Sequence, residues 1–166
     1  MTGQFKKLCT INQTKFSFGA TAAIITNLGL IKALQTGPGT KLAIVGSIVV
    51  VALADNIADS TAIHIFRESE CMTTREVWAS TISNFLTRVL VSLTFCLIII
   101  FLPLKAAVNF SMVWGLFLLS AMSFTIARNR KVNPYLAVFE HLVIALGVII
   151  LSGYLGRFIH AHLHLA

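Results

Sequence analysis

Five apolar runs of about 20 residues, separated by short polar joints, leave this chain few folds to adopt. Each run is long enough to cross a hydrocarbon core of about 30 Å as a helix rising about 1.5 Å per residue. The spans are expected at Phe16 to Gln35, Leu42 to Phe66, Trp78 to Leu102, Ser111 to Ala127 and Pro134 to Gly156. Composition agrees: 57% of the 166 residues are hydrophobic and only 11% charged, against about 25% charged in a soluble domain. The fold class that follows is all-α, a polytopic membrane protein with five transmembrane helices in a single domain.

The joints carry recognisable stop and start signals. Gly37-Pro38-Gly39 reads as a tight turn and Pro103 as the end of the third helix. Asn133-Pro134 supplies an N-cap followed by proline at the first helical position, and Thr73 with Glu76 fits a capping box. Lys6, Lys7 and Lys15 precede the first apolar run, but the run outlasts an ordinary signal-peptide core and no A-x-A-like cleavage pattern follows, so a retained helix is expected. With the N-terminus cytoplasmic, the inner segments hold Lys6, Lys7, Lys15, Arg67, Arg75, Arg128, Arg130 and Lys131. The outer segments hold Lys32, Lys41, Lys105 and Arg157, and eight against four favours that orientation.

The +7 net charge flanks the apolar spans and builds no separate basic domain, which points to anionic lipid as partner and away from nucleic acid. Cys9, Cys71 and Cys96 are odd in number and unpaired in spacing, so neither a disulfide framework nor a zinc knuckle is implied. No cofactor-binding pattern, nucleotide-binding loop, nucleophile elbow or HExxH motif stands in the chain, and an enzyme is not expected.

Against this background the ionisable residues inside the spans stand out, because a charge at mid-bilayer costs at least about 2.5 kcal/mol. Measured from the inner boundary, Asp59 lies roughly 10 Å and Asp55 about 16 Å deep on the second helix. Asn27 and Arg88 fall at about 15 to 17 Å, and Asn84 and Glu140 at about 9 Å. Asp55 and Asp59 share a helical face, with Asn56 beside them, and Asn84 and Arg88 repeat the spacing of four. His64 and Glu68 form another such pair on the opposite side, at the cytoplasmic mouth.

Two arrangements fit these residues. In one, Arg88 is the counter-ion of Asp55 or Asp59 while Asn27 and Asn84 hydrogen-bond between helices, and the cluster glues the bundle. In the other, Asp55, Asp59 and Glu140, with amide oxygens from Asn27 or Asn56, form a cation site midway across the membrane. Three carboxylates against one arginine leave a negative surplus, which favours the second. His141 adds an imidazole suited to a borderline metal or to relaying protons, and His160, His162 and His164 could gather metal outside the membrane.

FGATAAIITNLGLIKAL, followed by VGSIVVVALADNIADSTAIHIFRESE, resembles the opening helices of the vacuolar iron transporter family over residues 16–70. The resemblance implies five membrane helices with a cytoplasmic N-terminus and a homodimer whose subunits line a shared pathway. It also implies export of Fe2+ or Mn2+, with Co2+ or Zn2+ as further candidates, from the cytosol in exchange for protons. The chain departs from the family pattern in three places. Ala22-Ala23 stands where members carry aspartate and glycine, Ile57 and Ser60-Thr61 stand where they carry methionine and a Gly-Glu pair, and the glutamate-rich insertion between helices two and three is missing. Glu68, Glu70 and Glu76 are what remains there, either as a reduced collecting patch or as a solvated, capped turn.

The expected mechanism has hydrated metal passing Glu68 and Glu70 and shedding water onto Asp55, Asp59 and Glu140, where metal and protons compete for the same oxygens. A passive channel and a scaffold without flux are the alternatives. The host membrane would be the plasma or inner membrane in a prokaryote and an organelle membrane in a eukaryote.

Overall fold

The computed structural model describes residues 2–36 and 40–163, with side chains for 18–36 and 40–162. These residues form five helices: α1 (Thr2–Gln35), α2 (Lys41–Ser69), α3 (Thr74–Phe101), α4 (Leu104–Asn129) and α5 (Pro134–Leu163). All five are long and apolar enough to cross a membrane, and no strand occurs among the described residues. The chain is an integral, multi-pass membrane protein. The Gly37-Pro38-Gly39 turn and His164 lie outside the described residues, as do the side chains of Lys6, Lys7, Cys9 and Lys15.

The punctuation acts where the sequence puts it. The Thr73 amide donates to the Glu76 carboxylate at 3.1 Å, the returning arm of the capping box. Asn133 Oδ1 accepts from the Tyr135 amide at 3.0 Å and opens α5. Pro103 cannot extend the α3 hydrogen-bond ladder, yet it starts α4 at once, with its carbonyl accepting from the Ala107 amide at 2.8 Å. α4 therefore begins seven residues before the span drawn at Ser111, and α1 begins far ahead of Phe16. Hydropathy marks only the stretch that enters hydrocarbon, whereas helical hydrogen bonding continues into the polar interface. α2 ends with Cys71 at φ 54°, where the Met72 amide reaches back to the Arg67 carbonyl at 3.4 Å, and α4 ends the same way through Lys131 at φ 56°.

α1 runs at the centre and packs against each of the other four helices. Asn27 meets Ser92 while Gly19 meets Asn84, so α1 and α3 run parallel; Asp55 and Asp59 meet Arg88 while His64 meets Thr81, so α2 runs antiparallel to α3. α5 is parallel to α1, and their backbones nearly touch: a Cβ on Gly156 would fall 2.4 Å from the Ala33 carbonyl oxygen. Only glycine permits that approach. The core at this end is apolar, built from Ile24, Leu28, Ile31, Ile44, Ile48, Phe95 and Ile99, all fully buried. Buried residues make up 44% of the α1 span but 17% of α2 and 11% of α5, so these last two present mostly open surface.

Candidate intramembrane ion-pair site

The site grows from two rows of residues spaced by four. On α2 the inward row continues from Ile44 and Ile48 through Ala52 to Asn56, Ser60 and His64; on α3 it is Ser80, Asn84, Arg88 and Ser92. A spacing of four keeps side chains on one helical face, so antiparallel pairing of α2 with α3 brings one polar row onto the other. Asn56 Nδ2 donates to the Phe85 carbonyl at 2.9 Å, Ser60 Oγ to Asn56 Oδ1 at 3.3 Å, and Asn84 Nδ2 to Ser60 Oγ at 3.1 Å. This chain of bonds satisfies groups that would otherwise be stranded in hydrocarbon.

Asp55 and Asp59 precede Asn56 and Ser60 by one residue each and therefore sit on the flank of the row. Arg88 extends across the seam and divides its fork: Nη1 donates to Asp59 Oδ2 and Nη2 to Asp55 Oδ2. The planar guanidinium suits this role, since it offers separate donors to two acceptors one helical turn apart. The Arg88 side chain is 4% exposed, while those of Asp55 and Asp59 are 46% and 38% exposed. Thus the cation is buried and the two anions are open. α1 closes on this point through Gly19, where an added Cβ would lie 2.6 Å from Asn84 Oδ1 and 3.3 Å from Arg88 Cγ. Asn84 Oδ1 itself is buried and has no hydrogen-bond partner among the described residues.

The remaining candidate residues are placed elsewhere. Asn27 is buried and donates to the Ala23 carbonyl at 2.8 Å and to Ser92 Oγ at 2.9 Å, a turn beyond Arg88, so it does not offer its amide to the carboxylates. Asn56 turns its amide to α3 and away from the open face of Asp55. Glu140 is exposed on α5, a helix packed against α1 and α4, and neighbouring His141 buries its Nδ1; among the described residues Glu140 makes no ion pair and His141 Nδ1 no hydrogen bond. Arg88 meets both aspartates, its expected counter-ions, but a shared layer does not say which helices are neighbours. Among the described residues, no group of three His, Cys, Asp or Glu side chains converges in a way that could hold a metal ion.

At the loop end, each candidate mouth residue has a local partner. His64 Nδ1 lies 3.0 Å from Thr81 Oγ1, its Nε2 lies 3.5 Å from Glu68, and its ring meets Trp78 edge-on at 4.7 Å. Glu70 pairs with Arg67 at 2.7 Å, and Glu76 takes the Thr73 amide and hydroxyl. His162 Nδ1 lies 2.9 Å from the carbonyl of Phe158 on its own helix.

Sequence reasoning overlooked Ser60, Ser80 and Ser92, although their spacing of four from Asn56, Asn84 and Arg88 was there to be read. No family model, characterised protein or solved structure matches the chain.

Proposed function

We propose that the protein carries cations across its membrane, with Asp55 and Asp59 as the exchange site and Arg88 as the counter-ion that fills it between cargoes. One observation carries this reading: two half-open carboxylates share a single buried guanidinium, which takes one oxygen of each. The trio has a formal charge of −1 when both acids are ionised. In lipid that surplus calls for a mobile cation. The cargo we assign is a divalent transition metal, Fe2+ or Mn2+ before Co2+ or Zn2+, leaving the cytosol in exchange for protons that compete for the same oxygens. This assignment draws on the resemblance of the first two helices to vacuolar iron transporters.

A cytoplasmic N-terminus and a homodimer belong to the same proposal. The basic residues Arg67, Arg75, Arg128, Arg130 and Lys131 gather at the end proposed to be cytoplasmic, where anionic headgroups would attract them. α2 and α5, the least buried helices, offer the apolar faces that a second copy would cover. At that end Glu70 pairs with Arg67, which borders the Asp59 cleft, while Glu68 pairs with His64 on the opposite side of α2.

The test is metal uptake into proteoliposomes under an imposed pH gradient. Wild type is expected to accumulate Mn2+ or Fe2+, faster with the gradient than without it, and Asp55→Asn and Asp59→Asn are each expected to lower the rate at least about tenfold while circular dichroism stays unchanged. Normal flux in both folded variants refutes the site, and flux indifferent to the gradient identifies a channel.

A second reading has its own support. Arg88 engages both α2 carboxylates at once and Glu140 lies apart from them, as expected of a structural clamp in a scaffold or partner subunit. Absence of flux for all four metals in wild-type vesicles would select it.

A further inference from the structure

We infer that the cleft beside Asp59 binds a hydrophobic organic cation, meaning an amine, quaternary ammonium or phosphonium that carries apolar groups. The cleft has a volume of about 330 Å³ and lies where α1, α2 and α3 meet toward the α2–α3 loop. Its walls are Phe18, Ala62, Ile63 and Phe66, with Asp59 and Ser80 supplying oxygen atoms. Phe18 and Phe66 are 57% and 56% exposed, so their rings flank an opening at the protein surface.

The lining selects between kinds of cation. A divalent ion that gives up its water needs about six oxygens in return, more than this cleft supplies without Asp55. Here the wall offers one carboxylate and one hydroxyl, and the Ser80 hydroxyl already donates to the Glu76 carbonyl at 2.9 Å. An organic cation holds little water, buries its apolar groups against the aliphatic wall, and is attracted to aromatic faces as well as to the carboxylate. Asp59 has an oxygen that Arg88 does not take, and the Asp55–Asp59–Arg88 trio retains its formal −1 charge. Arg67 also borders the cleft, but its guanidinium turns to Glu70 at 2.7 Å and to the Met72 sulfur at 3.9 Å, which offsets its charge.

The inference rests on the geometry of Asp59 and its cleft and is independent of flux, so binding without transport supports it even where the transport reading fails. The opposite cleft of the α2–α3 seam, bordered by His64, Trp78 and Thr81, has no carboxylate in its wall and is not expected to take such a ligand.

Tetraphenylphosphonium, tested on the purified full chain in detergent by equilibrium dialysis against protein-free micelles, is the probe. Tetraphenylborate, with the same shape and the opposite charge, is the control. Saturable binding of the phosphonium alone is expected. Asp59→Asn should weaken it at least about tenfold and Phe66→Ala about threefold. Ala62→Phe fills the cleft while leaving Asp59 and Arg88 in place, and should also weaken binding at least about tenfold; it decides the matter if Asp59→Asn does not fold. Phosphonium uptake no greater than in empty micelles, equal binding of the borate, or wild-type affinity in Ala62→Phe would each overturn the inference.

Discussion

The seam between α1, α2 and α3 joins two unlike regions end to end. Toward the α1–α2 joint it is filled by Ile24, Leu28, Ile31, Ile44, Ile48, Phe95 and Ile99. Toward the α2–α3 loop the same helices meet through Asn56, Ser60, Ser80, Asn84, Thr87 and Arg88, all buried. In water the apolar region would be the source of stability and the polar one a burden. In a membrane the balance changes, because lipid tails are as apolar as isoleucine and no hydrophobic force draws these helices together. The apolar region then depends on shape and dispersion, and the polar region on bonds that allow one pairing of helices only. A chain with the first region alone could slide or rotate; the second sets the register of α2 on α3.

The largest effect expected from this contrast is at Arg88. Arg88→Met leaves two carboxylates facing each other in hydrocarbon, and breaking a buried pair from one side costs about 3–5 kcal/mol. Phe95→Ala, its counterpart in the apolar region, should cost about 3 kcal/mol by opening a cavity. Thermal unfolding in detergent would compare the two, and Arg88→Lys separates charge from geometry. A lysine supplies the charge but not the fork, so Arg88→Lys should fall between wild type and Arg88→Met. Full rescue by lysine would mean that bridging both aspartates is unimportant.

Much of the fold was legible beforehand, because spans, prolines and caps are local features. Five runs became five helices, and Pro103, Asn133 and Thr73 act at the joints assigned to them. The centre of the site was legible for a related reason: Asp55, Asp59 and Arg88 lie at similar depths on consecutive helices, and an unpaired charge in lipid has few options. Asn27 and Asn84 hydrogen-bond between helices, as the arrangement that glues the bundle expects; Glu140 lies on α5, packed against α1 and α4, because depth is one coordinate and helix order around the bundle is another, which hydropathy does not encode. The glycines divide in the same way. Small residues in membrane helices invite close contact: Gly29, Gly153 and Gly156 provide it between α1 and α5 and Gly115 receives Leu28, whereas Gly147 meets nothing within 4 Å.

That last difference gives an intermediate test. Gly19 holds α1 against the polar region, and an added methyl would lie 2.6 Å from Asn84 Oδ1 and 2.9 Å from the Asn84 carbonyl oxygen. Backbone must move, so Gly19→Ala should destabilise by about 1–3 kcal/mol. Gly147→Ala adds the same methyl in open space and should be neutral or stabilise by up to about 1 kcal/mol. Equal behaviour of the two variants in the same melting assay would show that α1 does not press on the polar region as tightly as its geometry implies.

The smallest effect is the most informative about what polar bonds contribute. Asn27 Nδ2 donates to Ser92 Oγ at 2.9 Å, at the boundary between the two regions. Interhelical hydrogen bonds in membranes average only about 0.6 kcal/mol, because a helix that lets go of one partner finds another before it leaves the bilayer. A double-mutant cycle with Asn27→Ala and Ser92→Ala should therefore give a coupling of about that size, well below the loss at Arg88. A coupling above about 2 kcal/mol would mean that single polar bonds hold the helices together, and the contrast between the two regions would be one of strength. The expected small value makes it one of choice: each bond is weak against its competitors, and only the set of them, in the right order along α2 and α3, excludes every other register.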